Sequence, residues 1–246
     1  MSRDMLSYES GEINRFGFGK ARLRLVALRY IQNRSFRSSD GVIFLTDYAS
    51  QVIQESCGRL SRVAIIPHGV GPEFGKVQAG QEWPLANERP IRCLYVSNVA
   101  LYKHQWAVVR AISMLRKRGH NVHLILAGGG PGSGARKAQR LLEEEVRLCD
   151  VDRSFVVEMG FVPYRELPSL LKSYDLFIFA SSCENMPNTL LEGMASGLPI
   201  VCSNRGPMPD VLRDGGIYFD PEDVGSIALA TEQLITNKFI REKVAL

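Results

Sequence analysis

Residues 175–203, DLFIFASSCENMPNTLLEGMASGLPIVCS, contain in order an apolar strand, a polar loop, a helix and a second apolar strand. Neither strand alternates between apolar and polar residues, which is typical of a parallel sheet covered by helices on both faces. Pro187 suits the first turn of the helix, and Asn188 suits its cap. The stretch therefore predicts one β-α-β unit of a doubly wound α/β fold.

The same alternation of short apolar strands and amphipathic helices runs from Ile91 to the C-terminus. Further strands are predicted at residues 91–97, 122–127, 154–158 and 216–219. Further helices are predicted at residues 105–118, 136–148, 166–173 and 223–236. Ligands of such sheets bind beyond the carboxyl ends of the strands. We therefore expect functional residues in the loops that follow Val96, Leu126, Glu158, Ala180 and Val201.

The N-terminal part has a different pattern. Residues 1–19 are polar and contain glycine, so we expect them to be loosely structured. A basic helix is predicted at 21–32, strands at 41–46 and 62–67, and a helix at 48–56. Because two strands are too few to form a hydrophobic core of their own easily, residues 1–72 are interpreted as the remnant of an N-terminal domain. Residues 73–90 are rich in Gly, Pro, Gln and Glu and predict a linker to a domain at 91–246.

Composition narrows the functional classes. The 246 residues are 45% hydrophobic and 23% charged, which is ordinary for a globular protein. The five cysteines form no C-x-x-C pair, which argues against a zinc site or a disulfide framework and favours a reducing, cytoplasmic setting. The net charge of +4 does not imply nucleic acid, although it suits an anionic substrate or an anionic membrane surface.

Glu184 and Glu192 are the residues most indicative of chemistry. One follows a strand and the other lies one turn into a helix, so both can face a single cleft. The N–H groups at residues 187–190 would suit phosphate, and carboxylates bind vicinal sugar hydroxyls. The alternative is that both are solvated surface glutamates. Glu192, however, lies in the apolar run 190–195, where a carboxylate needs a partner or a ligand.

Five motifs in order resemble the family 4 glycosyltransferases, which have a two-domain GT-B-type fold. Glu184 and Glu192 match the family's E-x7-E motif. The other four segments are Ile66-Pro-His-Gly-Val70 with Phe74, Tyr95-Val-Ser-Asn98 with Lys103, Gly160-Phe-Val-Pro163 with Leu167, and Gly206-Pro-Met-Pro-Asp210 with Gly215-Gly-Ile-Tyr-Phe-Asp-Pro221. The resemblance covers residue 38 to the end. It identifies 91–246 as the nucleotide-sugar-binding domain and 1–72 as the tail of the acceptor domain.

The resemblance implies a role for each matching residue. Glu192 would bind the ribose hydroxyls, and Glu184 would contact the donor sugar near the reacting centre. Lys103 would neutralise the diphosphate as charge grows on it, although a solvated surface lysine is the alternative. The other donor-binding positions implied are Asn98, Met186, Pro187, Asn188, Thr189, Gly129, Phe161 and Val162.

Two positions depart from the expected pattern. Asn98 stands where the family usually has an arginine, so phosphate binding could be weaker or Arg205 could substitute. His104 adjoins Lys103 and could help, but an exposed histidine is the favoured interpretation. The glycine-rich run 128–134 does not fit the dinucleotide pattern G-x-G-x-x-G cleanly, and we interpret it as a close-approach turn near the diphosphate.

The expected activity is sugar transfer with retention, from a nucleoside-diphosphate sugar to a glycan or a lipid-linked acceptor. The resemblance implies no metal and no cofactor. One alternative is a non-catalytic nucleotide-sugar-binding half that needs a separate acceptor-domain chain. Another GT-B-like class, such as an epimerase or a phosphorylase, is disfavoured by the E-x7-E context. The arginine-bearing helix at 21–37 suggests peripheral contact with the inner face of a membrane, or else a solvated basic face.

Overall fold

A computed structural model describes residues 5–75, 83–84, 88–129 and 135–245. Its strands are β1 Val42–Phe44, β2 Val63–Ile65, β3 Ile91–Val96, β4 Val122–Ala127, β5 Val156–Gly160, β6 Leu176–Phe179, β7 Ile200–Ser203 and β8 Ile217–Phe219. Its α-helices are α1 Lys20–Ser38, α2 Asp47–Cys57, α3 Gln105–Lys117, α4 Ala135–Cys149, α5 Leu167–Lys172, α6 Asn188–Ala195, α7 Met208–Leu212, α8 Val224–Thr236 and α9 Lys238–Val244. Short 3-10 turns span Glu12–Phe16, Leu101–Lys103 and Tyr164–Glu166.

The larger sheet has six parallel strands in the order β5-β4-β3-β6-β7-β8. The chain builds outward from β3 to β5 and then returns to the centre to build β6 to β8 on the other side. The strand order therefore reverses between β3 and β6, which makes that gap the topological switch point. This arrangement confirms the predicted doubly wound parallel sheet.

An arginine–carboxylate contact fixes the two strands at the switch point. Asp175, directly before β6, accepts from both terminal nitrogens of Arg89, at 2.6 and 2.7 Å. The backbone N–H of Arg92 in β3 donates to the same carboxylate at 2.8 Å. Asp175 is only 5% exposed, and a paired two-hydrogen-bond contact of this kind is both strong and directional. The opposite ends of β3 and β6 carry the candidate site.

The N-terminal part forms a smaller unit in which β1 and β2 pair in parallel and α1 and α2 pack beside them. Its core contains Met5, Leu6 and Tyr8, each less than 8% exposed. The prediction that residues 1–19 are loose is therefore wrong for residues 5–8. Because residues 1–19 are mostly polar, the few apolar side chains among them gave no pattern that would predict burial in this core.

Two further predictions about this part can be compared with the structure. Helix α1 ends at Ser38 and is longer than the predicted helix at 21–32. Phe74, placed in the predicted linker 73–90, is fully buried in the core of the larger unit. Residues 76–82 and 85–87 of that linker lie outside the described residues. Within the described ranges, no helix is both long enough and apolar enough to cross a bilayer.

Candidate functional site

The loops that follow β3 and β6 meet at the switch point through an ion pair. Nζ of Lys103, in the turn after β3, contacts Oε1 of Glu184, in the loop after β6. The two side chains are only 10% and 16% exposed. Oη of Tyr95 donates to the carbonyl oxygen of Lys103 at 2.7 Å and so fixes the turn from below. The alternative of a solvated surface lysine is therefore wrong.

The start of α6 lies at the same edge of the sheet. Oγ1 of Thr189 lies 3.5 Å from the carbonyl oxygen of Val96, the last residue of β3. Pro187 occupies the N-cap position, so the prediction that Asn188 caps the helix is wrong. Asn188 is instead the first helical residue, and its Oδ1 lies 3.0 Å from Nδ1 of His68.

The helix terminus predicted to bind phosphate has fewer free N–H groups than expected. Pro187 has no N–H group. The N–H of Asn188 donates to the carbonyl of Met186 at 3.0 Å, and that of Leu190 donates to Pro187 at 3.0 Å. Residues 187–190 therefore do not present the four free N–H groups that the sequence suggested. The turn at Met186 and Pro187 satisfies part of the helix terminus internally.

Glu192 lies on the buried side of α6. The residue is 7% exposed, as expected from its apolar neighbours in the sequence. Burial, followed by the nearby carboxylate of Glu73, raises the pKa of Glu192 to about 7. Burial and the same two carboxylates also raise the pKa of the Tyr164 hydroxyl. The ring of Tyr164 packs on Phe74, with centroids 5.7 Å apart. This side of the crevice thus holds an acid that ligand contacts can ionise.

The ends of β3, β4 and β5 come together through Gly128 and Gly129. Gly128 has a φ of +120°, and a Cβ built there would lie 2.3 Å from the carbonyl oxygen of Ser97. A Cβ on Gly129 would lie 3.1 Å from the backbone nitrogen of Phe161. Glycine is therefore required at Gly128, whereas a Cβ at Gly129 would make a tight contact that a small shift could relieve. The interpretation of a close-approach turn holds for these two residues, whereas residues 130–134 lie outside the described residues.

The remaining positions that were predicted to bind a donor lie around the same edge. Phe161 is 77% exposed, directly after β5, whereas Val162 packs against the main core. Asn98 is half-buried, two residues after β3, and Met186 precedes α6. An open cleft of about 460 Å³ lies beside Gly128 and Gly129, lined also by Val99, Gln105, Leu126, Ala135, Arg136, Gln139, Leu142, Glu158 and Gly160.

His104 and Arg205 differ from their predicted settings. His104 was predicted to be exposed but is 2% exposed, and its Nε2 lies 2.8 Å from Oγ of Ser182, which in turn contacts Glu12 of the N-terminal part. Burial, followed by the nearby Arg15 cation, lowers the pKa of His104 to about 4, so the ring is neutral at pH 7. Nη2 of Arg205 binds Oδ2 of Asp220 at 2.8 Å. A carboxylate therefore already neutralises the cation suggested as a substitute for the missing arginine.

Several residues near the site were given no individual role by the sequence analysis. Glu12 and Ser182 contact each other beside the ion pair, Glu73 and Tyr164 face Glu192, and His68 contacts α6. Ser182 could have been found from its place in the loop after β6. Glu12 carried no signal, because its contacts join residues 170 positions apart. In the described part of the chain, no cluster of three His, Cys, Asp or Glu side chains could hold a metal ion.

The six parallel strands and the switch point between β3 and β6 form a Rossmann-like domain, and this chain shares its fold with solved GT-B glycosyltransferases. A family model described as "Glycosyl transferases group 1" matches residues 90–237. The chain therefore belongs to the group 1 glycosyltransferase family.

Curated relatives extend the match. The chain is 27% identical over 149 residues to the O-antigen chain mannosyltransferase B of Escherichia coli, and this match covers 61% of this chain and 38% of that protein. It is 25% identical over 227 residues to the alpha-D-kanosaminyltransferase of Streptomyces kanamyceticus, covering 88% of this chain and 56% of that protein. The chain thus spans about half the length of the curated relatives it matches, or less.

Solved structures share the fold. The sucrose-phosphate synthase of Thermosynechococcus elongatus matches with a TM-score of 0.78 and 17% identity, over 97% of this chain and 59% of that chain. The Anabaena protein Alr3699/HepE, solved in complex with UDP and glucose, matches with a TM-score of 0.75 and 19% identity, over 95% of this chain and 62% of that chain. At these identities the likeness establishes the fold alone.

Proposed function

We propose that this chain carries the donor site of a retaining glycosyltransferase of the family 4 type, which transfers a sugar from a nucleoside-diphosphate sugar to a glycan or a lipid-linked acceptor. The observation that carries the proposal is the ion pair between Lys103 and Glu184 at the topological switch point. Ligands of doubly wound sheets bind at this point. The pair offers one cation for phosphate and one carboxylate for sugar hydroxyls.

Lys103 is the group that we assign to the diphosphate. Without ligand its ammonium is neutralised by Glu184, which limits the cost of keeping both charges out of water. A bound diphosphate competes with Glu184 for the ammonium, and Glu184 is then released to accept hydrogen bonds from the donor sugar. A fixed cation at this place stabilises the charge that develops on the leaving group.

Glu192 is the group that we assign to the ribose. An ionised carboxylate accepts two hydrogen bonds from vicinal hydroxyls, and these bonds favour its charged form. With a pKa of about 7, Glu192 is partly protonated in the free protein near neutrality. Donor binding therefore draws a proton off Glu192, which links nucleotide affinity to pH.

The proposed reaction exchanges two bonds at the anomeric carbon. Its bond to the leaving phosphate oxygen breaks, and a bond to the acceptor hydroxyl oxygen forms on the same face, which retains the configuration. The acceptor proton passes to the departing phosphate. Lys103 supplies positive charge to that phosphate, so the scheme uses no metal and no cofactor. The named relatives support this class: one is a mannosyltransferase, and HepE was solved with UDP-glucose.

The acceptor side is proposed to be completed by further polypeptide, in the same or a separate chain. The pair β1–β2 is too small to be stable alone, and Ile43 and Ile65 on it are 57% and 36% exposed.

We also propose a cytoplasmic protein with peripheral contact at the inner face of the membrane. Helix α1 supports that contact, because it has six Lys and Arg, no acidic residue and the exposed side chains Leu23 and Tyr30.

Calorimetry with UDP, GDP and ADP sugars tests the donor site. We expect the unmodified chain to bind one nucleotide class, and Glu192→Ala and Lys103→Ala to weaken that binding at least tenfold. Glu144→Ala on α4 and Lys117→Ala on α3 remove matched but exposed charges and should leave it unchanged. Binding of no nucleotide by the unmodified chain contradicts the proposal, as does equal weakening by the control variants.

A further inference from the structure

One buried serine joins the two loops of the ion pair to the N-terminal segment, residues 5–16. Oγ of Ser182, two residues before Glu184, lies 2.6 Å from Oε1 of Glu12. The same Oγ lies 2.8 Å from Nε2 of His104, which directly follows Lys103. The backbone N–H of Ser182 also donates to the carbonyl of Tyr102 at 2.8 Å. Each member of the ion pair therefore lies within two residues of this network.

The network is excluded from water and its direction is determined. Glu12 is 2% exposed, Ser182 5% and His104 2%. Nε of Arg15 donates to Oε2 of Glu12 at 2.9 Å, so both carboxylate oxygens have a donor. The single hydroxyl proton of Ser182 has two acceptors within reach, Oε1 of Glu12 at 2.6 Å and the carbonyl of Tyr102 at 3.3 Å, and the shorter contact assigns it to Glu12. The contact with His104 then requires the proton on Nε2, which a neutral ring provides.

His104 also holds the backbone in an unusual conformation. Its φ of 49° and ψ of 29° lie in the left-handed region, at the junction between the Leu101–Lys103 turn and α3. A residue with a Cβ pays about 1 kcal/mol or more for this conformation and keeps it only where its surroundings hold it. The bond from Nε2 to Ser182 is one such constraint. Because His104 directly follows Lys103, a change in this conformation would alter the path of the chain at Lys103.

We propose that Glu12 is a positioning residue for the donor site, acting through Ser182 and His104 to hold Lys103 and Glu184 in place. This inference rests on the proposed function, because it assigns the pair to the diphosphate and the sugar. The segment that carries Glu12 is docked at other points too. Nη2 of Arg15 binds Glu222 at 2.8 Å, and Tyr48 on α2 donates to Glu9 at 2.5 Å. The test must therefore separate positioning from simple anchoring.

Four variants make that separation. Glu12→Ala and Ser182→Ala break the network, whereas Glu12→Gln keeps an oxygen that can accept from Ser182. Ser7→Ala is the matched control: Ser7 is 1% exposed and bonds Gln32 of α1 at 3.3 Å, so it anchors the same segment away from the loops. In titrations with UDP and GDP we expect about tenfold weaker binding for the first two variants. Glu12→Gln should recover most of the affinity, and Ser7→Ala should stay within about twofold.

The ring tautomer of His104 gives a readout that simple anchoring does not change. In the unmodified chain, ¹⁵N shifts should show the proton on Nε2. In Glu12→Ala the hydroxyl of Ser182 loses its 2.6 Å acceptor, and Nε2 at 2.8 Å is then a nearer partner than the carbonyl of Tyr102 at 3.3 Å, so the Nδ1–H tautomer should grow. Glu12→Gln should keep the original tautomer, because its amide oxygen still takes the hydroxyl proton.

Three results would overturn the inference while the proposed function stands. They are a Glu12→Ala variant with unchanged nucleotide affinity, a Ser7→Ala variant as weak as Glu12→Ala, and an unchanged tautomer in Glu12→Ala. Failure of the unmodified chain to bind either nucleotide would instead contradict the proposed function, and with it the role of Glu12 in donor binding. The tautomer measurement would then still report on the network itself.

Discussion

Lys103 and Glu184, 81 residues apart in the sequence, form an ion pair across the gap between β3 and β6. The pair is mostly buried, and the two loops that carry it come from neighbouring strands of the sheet. Because β3 and β6 diverge at their connections, a ligand can enter between their loops. The same contact thus joins the two loops and engages the two groups that we propose bind the donor.

The ion pair predicts a stability difference between single and double variants. Lys103→Ala leaves Glu184 as a poorly solvated, unpaired carboxylate and should lower the free energy of unfolding by about 1 to 3 kcal/mol. The double variant Lys103→Ala/Glu184→Ala should be more stable than Lys103→Ala, because no charge is left unpaired. Urea unfolding at pH 7 of the unmodified chain, both single variants and the double variant measures these differences. A double variant less stable than both single variants would show that the pair is not coupled in this way.

Glu192 predicts a pH-dependent stability in the absence of ligand. Its folded-state pKa of about 7 lies above its ordinary value of 4.5, so the folded chain binds more protons than the unfolded chain between these values. The contribution of Glu192 therefore falls as pH rises from about 4.5 to about 7. Glu192→Gln removes this loss and should be more stable than the unmodified chain at pH 8, by up to about 3 kcal/mol.

The control for that pH dependence is Glu143→Gln, an exposed acid on α4. Its stability should follow the unmodified chain at every pH. Parallel curves for Glu192→Gln and the unmodified chain, from pH 5 to pH 8, would contradict the assigned burial of Glu192.

Gly128 predicts a steric requirement at the crevice. Gly128→Ala places a methyl group 2.3 Å from the carbonyl oxygen of Ser97, in a backbone conformation with φ of +120°. Gly119→Ala is the matched control, because φ is +94° there but no heavy atom lies within 4 Å of the new Cβ. Gly128→Ala should therefore be more destabilising than Gly119→Ala by about 2 kcal/mol in thermal or urea unfolding. Equal losses would mean that backbone strain alone accounts for both.

Asn98 stands where the family usually has an arginine, so we predict that the proposed diphosphate site has one positive charge fewer than is usual. Asn98 follows β3 by two residues, and Arg205 is already paired with Asp220. Asn98→Arg should add a charge-assisted contact and tighten UDP or GDP binding by about fivefold to tenfold. Asn98→Gln lengthens the side chain without adding charge and should leave the affinity near that of the unmodified chain. Unchanged or weaker binding by Asn98→Arg would mean that position 98 does not face the diphosphate.

The parallel sheet could be predicted because its signal is local. Runs such as Leu176–Phe179 are apolar on both faces, and this pattern suits only a strand covered on both sides. The position of Glu192 followed for the same reason, because an acid inside the apolar run 190–195 must be buried once that helix packs. The sequence also pointed to the loops after β3 and β6.

The local pattern failed where long-range contacts decide the structure. Residues 1–19 taken together look polar and contain glycine, yet Met5, Leu6 and Tyr8 reach a core formed by α1, α2 and β1. His104 was expected at the surface, but it is buried and contacts Ser182, which in turn contacts Glu12. No helical or strand period relates these residues, so no pattern along the chain could have joined them.

The sequence by itself therefore determined the doubly wound parallel fold and predicted a site at the carboxyl edge of its sheet, because the apolar period of each strand and helix depends on neighbouring residues. Only the tertiary structure decided how the charges at that edge are occupied. It pairs Lys103 with Glu184, gives Arg205 to Asp220, and links Glu12 to His104 through Ser182. Such pairings depend on which loops meet in space, since a charge removed from water must find its partner wherever the fold brings one.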